Sequence, residues 1–157
     1  MRFIVLQTGD PRPPFTLEQW RATAPTWPDV PAALIVPNDV DVQTLRDDLG
    51  RIGLVALTFP KWTDGRAYSQ ARLLRVRLGF GGEIRATGDV LADMALPLAR
   101  TGFDSAVLRA DQDVEIARRA LRCFDALRPQ SAARRAPHPY YQGDVLDPRP
   151  LFLQTAP

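Results

Sequence analysis

From Ala33 onward the chain alternates apolar runs with helical stripes four times over, and no other feature limits its fold as strongly. The runs are "ALIVP" at 33–37, "LVALTF" at 54–59, "EIRAT" at 83–87 and "SAVLRA" at 105–110. After each of them apolar residues recur three or four positions apart, as on one face of a helix. The stripes are Val42, Leu45 and Leu49; Ala67, Ala71, Leu74 and Leu78; Leu91, Met94, Ala95 and Leu98; and Val114, Ala117, Leu121 and Phe124. Pro97 inside the third stripe predicts a kink or a short helix. "LVALTF" is apolar without alternation, which suits a strand of a parallel sheet buried on both faces. Strands joined by single helical segments imply right-handed crossovers and parallel pairing. The expected fold class is therefore α/β: a single small domain with a parallel sheet of four to five strands flanked by helices. The rhythm fits a flavodoxin-like sheet and half of a β/α barrel equally.

The two ends of the chain depart from this rhythm. Residues 1–32 open with the strand-like "MRFIVLQ" and lead into the domain through a short helix from 17 to about 23. Thr16 and Gln19 have the spacing of a capping box there, and Phe15 and Trp20 that of a hydrophobic staple. The prolines of "APTWPDVP" stop the helix. Residues 33–128 form the α/β unit. Residues 129–157 are rich in proline and arginine and lack periodicity, which reads as an irregular tail with "YYQGDV" and "LFL" as the places where it would dock.

Composition removes several function classes. With 157 residues, 45% of them hydrophobic, the chain can bury a core without a disulfide or a structural metal. A formal charge of +2, spread through mixed acids and arginines, gives little support to nucleic-acid binding. One cysteine, Cys123, and one histidine, His138, cannot by themselves supply a disulfide, a zinc site or an iron–sulfur cluster. There is no GxGxxG fingerprint for a dinucleotide, so no cofactor is expected. No apolar run approaches the roughly 18 residues of a spanning helix, and no leader pattern opens the chain, so neither a membrane nor export is expected and the expected location is the cytoplasm.

One loop stands out. "PKWTDGR" (60–66) holds Lys61, the single lysine beside nineteen arginines. In parallel α/β folds ligands gather at the C-terminal ends of the strands. Three loops are expected there, carrying Lys61, Thr63, Asp64, Arg66, Arg85, Asp89, Arg109 and Asp111 to one rim. Each residue also has an ordinary role. Asp64, Asp89 and Asp111 precede helices and suit N-caps, and Gly65 and Gly88 suit tight turns. Arg85 and Arg109 suit ion pairs with neighbouring acids, and Trp62 and Tyr68 suit packing. Cys123 suits an inert core position, and His138 a solvated one. Together, Lys61 and Arg66 at a helix start point to an anion, because free N–H groups and the helix dipole favour negative charge at that end.

The segments "FPKWTDGRAYSQARLLR", "GEIRATGDVL" and "GFDSAVLR" resemble a bacterial family of unknown function associated with sulfite reduction. Its members are commonly encoded beside sulfite reductase and adenylylsulfate or phosphoadenylylsulfate reductase. The resemblance covers roughly residues 33 to 128. It implies an accessory protein of assimilatory sulfate or sulfite reduction, either binding a small anionic ligand (an oxyanion or a sulfonucleotide) or docking to sulfite reductase or adenylylsulfate reductase. The alternatives are an enzyme acting on a phosphorylated or sulfated small metabolite, with Lys61 or Asp64 as acid–base groups, and a flavin or nicotinamide oxidoreductase. A ligand site would show Lys61 and Arg66 pointing into a concave cationic pocket. A docking module would show them on a flat face beside an exposed Trp62.

Overall fold

The computed structural model describes residues 14–27, 31–127 and 152–155, with the backbone alone for 123–127 and 152–155. The expected strand "MRFIVLQ", the side chain of Cys123, "YYQGDV" and His138 lie outside the described residues. Among the described residues six strands form one sheet: β1 (Phe15–Thr16), β2 (Ala32–Val36), β3 (Ile52–Phe59), β4 (Glu83–Gly88), β5 (Ser105–Leu108) and β6 (Phe152–Thr155). Every neighbouring pair is parallel, and the order in space is the order in sequence, β1-β2-β3-β4-β5-β6. The sheet is thus parallel α/β as expected, with one strand more than the four to five anticipated. A doubly wound sheet reverses its order at a switch point. This one does not, and right-handed crossovers in an unreversed order place the connecting segments on one face. That is the half-barrel arrangement.

Burial agrees with a single helical layer. Leu34, Val36, Val55, Leu57, Phe59, Ile84, Ala86, Ala106 and Leu108 form the face fully withdrawn from solvent. On the opposite face Ile35, Thr58, Arg85, Thr87 and Val107 remain half-buried, while Leu54, Ala56, Glu83 and Ser105 are buried. The layer holds α1 (Leu17–Thr23), α2 (Arg66–Arg72), α3 (Ala95–Thr101) and α4 (Val114–Leu127). The α1 capping box forms as its spacing predicts: Gln19 N donates to Thr16 Oγ1 at 3.3 Å, and Thr16 N donates to Gln19 Oε1 at 2.9 Å. Phe15, Trp20 and Trp27 pack ring to ring, with Phe15 and Trp27 centroids 4.8 Å apart. Arg51 clamps this cluster by donating to the carbonyls of Ala24 and Trp27.

Two helical stripes take other forms, and a third is the short helix that Pro97 predicts. Val42–Arg51 is a 3₁₀ helix. Thr44 binds Asp41 O through both its amide and its hydroxyl, a local bond that competes with α-helical pairing. α2 continues into a π-helical turn, Leu73–Arg77. α3 is seven residues long and carries Pro97 in its first turn, where no intrahelical N–H is needed. Part of the expected irregular tail is regular: Phe152–Thr155 pairs with β5 as the last strand.

Candidate functional site

The rim at the C-terminal ends of the strands is built around Phe59, the last residue of β3. Phe59, Tyr68 of α2 and Phe103 form an aromatic triad beneath it, with Phe59 and Tyr68 centroids 5.1 Å apart. Burial of Tyr68 raises its pKa. Above the triad the chain turns through Lys61–Asp64, closed by Asp64 N donating to Lys61 O at 2.9 Å.

Gly88 brings the next loop into contact. Its φ is +91°, and a Cβ there would stand 2.4 Å from Phe59 O. That approach lets Asp89 N donate to Phe59 O at 2.8 Å. The Asp89 carboxylate then links all three loops: Oδ2 accepts from Trp62 N at 2.9 Å, and Oδ1 accepts from Arg109 Nη1 at 2.7 Å. Arg109 also grips Asp111 two-handed, at 2.6 and 2.7 Å. Its own amide donates to Val90 O at 2.9 Å. The convergence expected from the βα pattern is therefore a bonded one.

The individual residues divide. Arg66 turns back onto Asp64, with Nε to Oδ1 at 3.0 Å and Nη2 to Oδ2 at 2.8 Å. Lys61 and Thr63 are exposed, and among the described residues neither side chain has a hydrogen-bond or ion-pair partner. Arg85, expected at the rim, sits elsewhere. It lies three residues before the end of β4, so the strand's alternation points it onto the sheet face opposite the helices. There it bonds Glu83 Oε1 at 2.6 Å and Ser105 Oγ at 3.1 Å. Of the expected capping roles Asp64 keeps its own, with Oδ1 accepting from Arg66 N at 3.3 Å at the start of α2. The other two move: Asp89 ties loops and Asp111 pairs with Arg109, while Asp113 takes Glu115 N at 2.8 Å and Asp41 takes Gln43 N at 3.0 Å. Trp62, for which packing was the ordinary role, is 55% exposed.

Two participants were missing from the expected rim. Gln70 of α2 donates to Pro37 O and Val40 O, both at 2.8 Å, and so holds the loop after β2 against the same rim. Buried Asn38 stands beside Asp64 and helps to lower its pKa. Its Nδ2 lies beyond full hydrogen-bond distance of any acceptor. The rule that sites lie at strand C-termini, applied to "PND" (37–39), would have found Asn38.

Electrostatically the rim is not a cationic pocket. Lys61, Arg66 and Arg109 stand among Asp39, Asp41, Asp64, Asp89, Asp111 and Asp113, which follow the same strand ends. Arg66 holds the Asp64 carboxyl far below the usual range, chiefly through their side-chain hydrogen bond. Arg109 does the same to Asp111, bringing it down to about 2. The arginines are raised in return. Carboxylates held this low are poor general acids and poor bases near neutrality. The arrangement instead orients a loop and presents its aromatic tip. No group of three His, Cys, Asp or Glu is placed to hold a metal among the described residues.

Fold and site thus define an unreversed parallel α/β domain with an ion-paired rim bearing an exposed tryptophan. The chain belongs to the family of bacterial proteins of unknown function DUF934, whose model matches residues 33–152. That match runs past residue 128 to the first residue of β6. No curated protein and no solved structure matches the chain. No described helix is long and apolar enough to cross a membrane.

Proposed function

We propose that the protein is a cytoplasmic accessory factor of sulfite reduction that docks through its rim to a reductase, with sulfite reductase as first candidate and adenylylsulfate reductase as second. The observation that carries the docking is Trp62, 55% exposed on a loop whose backbone is pinned by Asp89. An exposed indole on a preordered backbone loses little entropy on association, and tryptophan is the residue type most often found at interface hot spots. Flanking ion pairs that are already satisfied supply a polar surround of the kind that rims such a contact. The choice of reductase rests on the resemblance of the rim motif to proteins encoded beside these enzymes. Co-purification from the source cell tests both parts. Wild type should carry the reductase and Trp62→Ala should not, whereas equal recovery with both, or with neither, removes the reading.

A second reading is supported by Lys61, which has no carboxylate partner among the described residues and stays available to an oxyanion or a sulfonucleotide. The six surrounding aspartates oppose it. Calorimetric titration with sulfite, sulfate, phosphate and adenylylsulfate decides: saturable binding lost in Lys61→Ala supports an anion site, and flat titrations leave docking alone.

A further inference from the structure

We draw no further inference here: the strongest candidate, the sheet face opposite the helices where Glu83, Arg85 and Ser105 form a polar cluster between half-buried Ile35 and Val107, carries nothing because the described residues do not show what covers it.

Discussion

At the base of the sheet, where the strands begin, the Arg75 side chain is 6% exposed, while at the rim those of Arg109 and Arg66 are 46% and 59% exposed. All three pair with aspartate. Arg75, on the π turn, donates to Gly102 O, Phe80 O and Gly82 O at 2.6–2.9 Å and pairs with Asp104, whose Oδ2 also receives Ile84 N at 2.8 Å. The loops before β4 and β5 are sewn to the helical layer through that one guanidinium. At the rim the same chemistry stands in water, where an ion pair contributes little to folding. What it does there is geometric: it fixes the backbone that carries Trp62. The comparison separates residues that hold the fold from residues that shape a surface, although their chemistry is alike.

The largest effect is expected at the base. Arg75→Ala removes the guanidinium from Asp104 and from three carbonyls, and breaking a buried pair costs about 3–5 kcal/mol. Urea denaturation should show that loss. A change below about 1 kcal/mol, the range of exposed pairs, would erase the distinction between base and rim.

Gly88→Ala comes next. It places a Cβ 2.4 Å from Phe59 O at φ +91°, a backbone conformation that costs a non-glycine residue roughly 1–3 kcal/mol. Because the clash lies at the Asp89 tie, the variant should also lose partner binding. Unchanged thermal stability would mean that the two loops do not approach as described.

The base and the rim were not equally legible in the sequence. Apolar runs and stripes marked four strands and their helices, because burial on a parallel sheet leaves a continuous hydrophobic signature. β6 showed only as "LFL", a place for the tail to dock, and not as a strand, since Phe152–Thr155 is one short run in a proline-rich tail and is defined by pairing with β5. The rim was legible as a convergence of loops, because parallel topology alone brings strand C-termini together. Which partner each arginine takes was not legible. Arg66 and Arg109 each choose the aspartate two residues away, as side-chain reach allows, but the bond from Arg109 to Asp89 spans twenty positions and depends on the Gly88 turn. Arg75 carried no signal in the sequence, and the π turn Leu73–Arg77 carries it to the base of the sheet.

Asp89→Ala should divide stability from order. Because its partner Arg109 stands largely in water, the change should move folding stability by no more than about 1 kcal/mol, while amide exchange at Trp62 accelerates because its acceptor is gone. Unaltered exchange would show that the Trp62 loop is held by something other than Asp89.

The smallest effect concerns pH. A carboxyl whose folded pKa lies below its unfolded value adds stability above the unfolded value and loses it as pH falls through the folded one. For Asp111 that window runs from the ordinary 3.8 down to about 2. An NMR titration of its carboxyl carbon should show a midpoint near the lower end. A midpoint at the ordinary value would mean that Arg109 does not hold Asp111 in solution.

We propose that the rim presents Trp62 to a reductase. The most direct test is the Kd of sulfite reductase for wild type and for Trp62→Ala. Removing a side chain that is 55% exposed and lies outside the hydrophobic core should leave folding within about 0.5 kcal/mol. Loss of an interface hot spot worth 2 kcal/mol or more should weaken binding at least roughly thirtyfold. A wild type that does not bind, or a Trp62→Ala variant that binds as tightly as wild type, would contradict the account.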